Sequence, residues 1–458
     1  MLDTELISRI QFAFTISFHI LFPAFSIGLA TFLAIMEGIW LRTKNPLFLS
    51  ICKFWTKVFA LTFGMGVVSG IAMAFQLGTN WAGYTSQIGD VLGSLFTYEV
   101  LTAFFVEAGF LGVMLFGWEK VGPKLHYAAT LLVFVGVTLS AFWILAANSW
   151  MQTPAGYHIV NGKFEVSSWL DVIFNPSLPD RYPHMLLAAY LTTAFAIAGV
   201  SAFYLLKQTY VAFAKQCFSF ALWALIILIP VQMLIGDDSG RVVLEYQPLK
   251  TAAIEGVWDT QNGAPFVIVA WPDQTRQKNL FALSIPHAAA LINTHEWNGK
   301  LIGLKTVSPR DQPYVPLVFF SFRVMLLVGG IMLLVGLIGL WLRYRKRLYD
   351  TRWFLKLCLY LSPSGFFGII AGWFTTETGR QPWVVYNLIR TSDAVSKVPL
   401  SSVITSFVLI FVIYGIIFGV FYFRYFGRIL AHGPADAEVK PEDPAFHYLS
   451  AQLPEEKK

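Results

Sequence analysis

EVLTAFFVEAGFLGVMLFGW, residues 99–118, carries two carboxylates and no other ionisable side chain. It matches the roughly 20 residues that a hydrocarbon core of about 30 Å demands of a helix. It shows none of the apolar–polar alternation of a membrane barrel strand. Lipid offers the backbone no hydrogen-bonding partner, so a segment like this crosses as a helix that satisfies itself. Eight further segments have the same character. With 94–117 as the third, the expected spans are 10–40, 54–78, 94–117, 126–150, 185–207, 217–235, 316–342, 356–375 and 400–424. The predicted fold is all-α, a polytopic bundle of about nine transmembrane helices.

Composition agrees. The chain has 458 residues, of which 13% are charged, against roughly 25% in soluble proteins, and its mean hydropathy is +0.59. So little charge cannot cover a soluble fold of this size. Disordered, collagenous and disulfide-scaffold chains are excluded by the same figures. The net charge of +6 fits anchoring charges better than nucleic-acid binding. The aromatic share of 16% suits interface belts and cavities for flat apolar cofactors.

Basic residues set the orientation. Arg42, Lys44, Lys53 and Lys57 follow the first span, Lys120 and Lys124 the third, and Lys207 and Lys215 the fifth. Arg343, Arg345, Lys346, Arg347, Arg352 and Lys356 follow the seventh, while 79–93 has no Lys or Arg. The positive-inside rule then puts the N-terminus outside and the C-terminus in the cytoplasm. The first span opens with Asp3 and Glu5 and lacks a small-x-small cleavage site, so it is expected to be retained. Cys52, Cys217 and Cys358 fall at cytoplasmic span ends, where thiols stay reduced.

The chain thus divides into helices 1–6 (1–235), a large outer loop (236–315), helices 7–9 (316–430) and a polar tail (431–458). A second outer loop covers 151–184. Within the large loop, TAAIEGVWDTQ at 251–261 reads as partly helical and FVIVAWP at 266–272 as a strand.

Ionisable groups in lipid are costly and therefore point to function. They are His19, Glu37, Glu99, Glu107, Arg323 and Glu377, with His184, Met325 and Arg380 at similar depth. Apart from Glu37 and Glu107, the topology sets them toward the outer leaflet. Imidazole, thioether and carboxylate are iron ligands, and a His/Met pair makes six-coordinate, electron-transferring haem. Each has a plainer reading: an interfacial His, a packing Met, a capping Glu, and an interfacial ion pair between Glu37 and Arg42. The residues by themselves reach an intramembrane redox or proton-handling protein. A quinone-binding electron-transfer subunit and a proton-coupled transporter using Glu99 and Glu107 both remain open.

Further strings carry a family pattern: MLDTELISRIQFAFTISFHILFP at 1–23, QLGTNWAGY at 76–84, the 99–118 block, SAFWILAANSWMQTP at 140–154, KTAAIEGVWDTQ at 250–261 and GRQPW at 379–383. Together they resemble subunit I of the cytochrome bd quinol oxidases, from residue 1 to about 428. The resemblance implies that His184 and Met325 ligate low-spin haem b558, with Arg323 beside it. It implies that His19 and Glu377 ligate the two high-spin haems, b595 and d, in an order left open, with haem b able to replace haem d in some members. Glu99 and Glu107 become proton-supply residues, with Ser140 and Asn148 lining their region. Arg380, Trp373 and Trp383 become haem contacts, although both tryptophans also read as interface anchors.

The loop at 236–315 resembles the Q-loop, in the short form found in cyanide-insensitive-type members, with Lys250 and Glu255 as its quinol-linked residues. A carboxylate there can take a hydroxyl proton and a lysine can stabilise the developing anion; the plain reading is a solvated charge pair. The implied reaction is quinol oxidation at the outer face and reduction of dioxygen to water at haem d with cytoplasmic protons, generating proton motive force without pumping. The implied partners are a homologous subunit II, small single-span subunits, membrane lipid, dioxygen, and ubiquinol or menaquinol, in the bacterial inner membrane. No copper centre is expected, because the chain lacks the His clusters one needs.

Overall fold

In the computed structural model the described residues are 3–434, so residues 435–458 of the expected tail lie outside them. Among the described residues nine helices are long and apolar enough to cross a membrane. They are α1 (Thr4–Thr43), α2 (Pro46–Thr79), α3 (Ala82–Phe116), α4 (Pro123–Gln152), α5 (Leu178–Lys207), α6 (Val211–Tyr246), α7 (Val315–Tyr344), α8 (Arg352–Arg380) and α9 (Leu400–His432). Local chemistry sets their ends. Asp3 accepts from the Leu6 amide to cap α1, and Asn45 caps α2 with Pro46 in the first turn, where a missing N–H costs nothing.

The helices outrun the expected spans, chiefly on the side carrying the candidate ligands. α3 begins at Ala82 rather than 94, so most of the expected loop at 79–93 is helix. α6 continues to Tyr246 through Asp237, Asp238 and Arg241, whereas α9 gains its extra turns at the opposite end, to His432. Hydropathy marks where lipid ends; a helix keeps its hydrogen bonds beyond that point, and charges on it are then solvated. α8 extends to Arg380, which brings Glu377 and GRQPW onto one element.

α5 is the hub, packed against α1, α4, α6 and α8. Its small residues Ala194, Ala196, Ala198, Gly199, Ser201 and Ala202 are all buried, and small residues let helices approach closely in a membrane. A Cβ on Gly28 of α1 would lie 2.0 Å from Thr193 Oγ1 of α5, so that crossing tolerates only glycine. Around it Phe54, Trp55, Phe213, Phe218 and Phe354 form the buried aromatic core. Phe54 meets Trp55 and Phe213 edge-on at 5.3 and 5.2 Å, the favourable ring geometry. Cys52, Cys217 and Cys358 are buried free thiols in the same cluster.

α3 and α9 contain π segments, at Val100–Phe104 and Phe411–Phe418. Between α6 and α7 the chain forms a helix (Pro248–Glu255), an antiparallel hairpin (Phe266–Asp273 with Lys278–Ile285) and a further short helix (Ala288–Thr294). The expected helix and strand of this loop are both present. Ala252, Ala253, Val257, Trp258 and Leu304 pack on Val315 and Val318, clamping the segment to the start of α7.

Candidate functional site: a buried polar chain joining helices and loop

α4 is the spine of the site. Its C-terminal half presents Gly136, Ser140, Asn148, Ser149 and Gln152 in succession, and each meets a functional candidate. Gly136 receives Glu107: a Cβ there would lie 2.6 Å from Glu107 Cγ. Ser140 Oγ donates to Glu99 Oε1 at 2.8 Å. Glu99 and Glu107 are eight residues apart, which in a regular helix leaves them about 80° apart. The π segment between them absorbs one residue, and both carboxylates face α4. Glu107 Oε1 is buried without a partner, a costly arrangement that needs a physical reason.

Farther along, Asn148 Nδ2 and Gln152 Nε2 each donate to Glu377 Oε1 at 3.1 Å, and Arg380 donates to Oε2. Three donors on a carboxylate with about four acceptor directions orient it and leave one direction for a metal. Arg181 of α5 donates to Ser149 Oγ at 3.2 Å and to Asn148 Oδ1. Lys250 Nζ, from the loop, reaches Gln152 Oε1 at 2.6 Å. Three basic side chains, Arg181, Lys250 and Arg380, therefore gather around one carboxylate. Arg380 Nε and Nη1 are buried and unpaired. Uncompensated buried cations call for an anion, and haem propionates are anions of the right kind.

His19 also has the chemistry of an iron ligand. Ser69 Oγ donates to Met65 O at 2.7 Å and stands 2.9 Å from His19 Nδ1. Its proton is committed to the carbonyl, so it accepts from Nδ1–H and leaves Nε2 with a free lone pair, the form a metal takes. His184 Nε2 lies 3.3 Å from Gln232 Nε2, and its Nδ1 is buried without a partner. Met325 Sδ lies against Gly372 of α8. Trp373 is half-buried on α8, and Trp383 stacks under Arg390 at 4.5 Å.

Two of the plainer readings fail, and Arg323 gains partners the sequence did not indicate. Glu37 pairs not with Arg42 but with His126 of α4 (2.7 Å), and Thr130 donates to its other oxygen at 2.6 Å; both ionisable groups are buried inside the bundle. Arg323 is committed to the loop. It donates to the carbonyls of Val267 (2.6 Å), Ile254 and Phe319, covers the Phe319 ring at 3.4 Å, and approaches Glu255 Oε2 at 3.9 Å. Lys250 and Glu255 are not a solvated pair: both are buried, and five residues apart on a helix they point about 140° from each other. Glu255 accepts from Asn293 Nδ2 at 2.9 Å. Burial raises the Glu255 carboxyl above the usual carboxylate range, against the opposing pull of Asn293 and Arg323. Burial, aided by Arg181, pushes the Lys250 amine well down.

Gln152, Arg181, Ser69, Gln232 and Asn293 carried no ionisable-in-lipid signal that separated them from other polar residues. Only the WMQTP string, quoted for the resemblance, touched one of them.

A profile of the cytochrome bd terminal oxidase subunit I family matches residues 7–434. The chain belongs to that family. It is therefore a subunit of a haem-containing quinol oxidase, an oxidoreductase of the respiratory chain, and a multi-pass membrane protein. It is 40% identical over 413 residues to the cytochrome bd ubiquinol oxidase subunit 1 of Bacillus subtilis, covering 88% of each chain. It is 34% identical to the cytochrome bd-II ubiquinol oxidase subunit 1 of Escherichia coli, covering 89% of this chain and 93% of that one. The bd oxidase structure from Geobacillus thermodenitrificans superposes with a TM-score of 0.88 at 28% identity, covering 94% of this chain and 99% of that one.

Proposed function

We propose that this bd oxidase subunit takes electrons from quinol at the outer face of the bacterial inner membrane and reduces dioxygen to water with cytoplasmic protons, building proton motive force without pumping. The observation that carries the reading is the continuous buried chain from Lys250 through Gln152 to Glu377, with unpaired Arg380 donors beside it. It joins the loop to a carboxylate poised as an iron ligand. His184 and Met325 hold haem b558; His19 and Glu377 hold haems b595 and d in an order left open, with haem b able to stand for d. Bound haem supplies the one-electron steps and an open iron position for dioxygen. Arg380, Arg181 and Lys250 supply positive charge for propionates, and Trp373 and Trp383 supply flat contacts.

The 236–315 segment is the Q-loop, and residues 1–235 and 316–430 are the helical scaffold, with the N-terminus outside and the 431–458 tail in the cytoplasm. Glu255, buried and held by Asn293, accepts the quinol proton as electrons leave; Lys250 steadies the developing anion from the other side. Arg323 fixes the loop carbonyls that frame this site. Glu99 and Glu107 deliver protons along α4 from the opposite side. The broad apolar exposure of α3 and α9 supports packing against a homologous subunit II, small single-span subunits and lipid. Ubiquinol and menaquinol are both compatible donors.

Purified membranes test the proposal: chlorin absorbance in the red together with quinol-dependent oxygen uptake is expected. Pigment-free protein would overturn it.

A further inference from the structure

Gln152 links two assigned groups without a role of its own so far. Its amide orientation follows from its neighbours. Lys250 Nζ donates to the carbonyl Oε1 at 2.6 Å. The Glu377 carboxylate there accepts, so the atom facing it at 3.1 Å is Nε2. Gln247 Nε2 secures the same residue through its backbone carbonyl at 2.6 Å and Oε1 at 3.1 Å, and Gln152 is 2% exposed. One amide thus carries the lysine N–H on its oxygen and a carboxylate on its nitrogen, and a flip would break both bonds.

We propose that Gln152 is a positioning residue that transmits the state of the quinol-side Lys250 to the electron-donating strength of Glu377, coupling the loop to the haem that Glu377 ligates. The inference rests on the ligand role given to Glu377 above. A lysine N–H on an amide oxygen polarises the amide, and chained hydrogen bonds strengthen one another. With Lys250 engaged, Nε2–H binds Glu377 more strongly and draws density from the carboxylate. With Lys250 withdrawn toward the donor, Glu377 regains that density. Hydrogen bonds to a metal's ligand tune its potential, so the loop biases a high-spin haem directly, in parallel with electron flow through the low-spin centre. A close-packed seat holds Lys250 in line: a Cβ on Gly379 would lie 2.6 Å from Lys250 Cγ.

The test is a double-mutant cycle on the purified oxidase complex, read as the midpoint potential of the Glu377-linked haem in a mediated redox titration, which needs no turnover. Lys250→Met should lower that potential. In a Gln152→Met background, equal in length but unable to bridge, the same substitution should produce less than half the shift. An equal shift in both backgrounds would mean simple through-space charge and would overturn the proposal. Should Gln152→Met fail to assemble, Gln152→Asn keeps the amide one methylene short of both partners, with the same two outcomes. Glu377→Ala separates the readings. Loss of one high-spin haem signal upholds the ligand role, whatever the cycle shows. Retention of all haem signals removes that role and the proposal with it.

Discussion

Met325 and Glu255 are the residues at which single substitutions speak most directly. Met325→Leu keeps the volume and removes the thioether, so the low-spin haem absorbance should vanish while the chain still assembles; an unaltered spectrum would sink the ligand assignment. Glu255 carries a pH prediction. Burial raises its carboxyl, so its proton-accepting form appears only above the usual carboxylate value of about 4.3. The quinol oxidation rate should therefore rise with pH across a range shifted upward from that value, and Glu255→Gln should remove this rising limb. A limb that persisted in the variant would assign the titration elsewhere. His19, His184, Glu99, Glu107 and Glu377 were legible because a polar group in an apolar run is conspicuous. Gln152, Ser69 and Arg181 were not, since a neutral amide, a hydroxyl or an arginine near the water boundary is unremarkable until its partner is known.

The π segment of α3 makes a prediction that belongs to the element. Removing one residue from it, such as the exposed Leu101 (55%), restores an ordinary helix and keeps Glu99 and Glu107 on the α4 side. Inserting one alanine turns one against the other by about 100°, leaving them about 80° apart. Oxygen uptake with chlorin absorbance should survive the deletion far better than the insertion; the reverse order would refute the register argument. At the α1–α5 crossing, Gly28→Ala drives a methyl into Thr193 and should cost about 1–3 kcal/mol by overpacking, seen as a lower temperature for loss of haem absorbance on heating. The sequence located all nine helices by hydropathy. Their extra turns at the side carrying the candidate ligands were illegible, because a helix in water looks like any polar stretch, as 82–93 and 236–246 illustrate.

For the molecule as a whole, the proposed geometry separates proton release from proton uptake. Oxidase reconstituted with its loop facing outward in sealed vesicles should acidify the outside by as many protons as electrons pass. A larger yield would require a pump and would contradict the assignment. Orientation rests on the distribution of Lys and Arg, which the chain displays openly. The packing of the loop on α7, through Arg323 and the Val315–Val318 face, depends on pairs more than fifty positions apart, and no local pattern announces it.

The seat of Lys250 on Gly379 has a consequence for rebuilding these enzymes. Loop and eighth helix meet where one hydrogen replaces a side chain, so they form a matched lock and key rather than a movable module on a passive frame. A chimaera that imports a foreign quinol loop while keeping the host GRQPW turn, or the converse, would inherit a mismatch at that contact. Exchanging the two as one cassette is the route by which donor preference could be transplanted between oxidases.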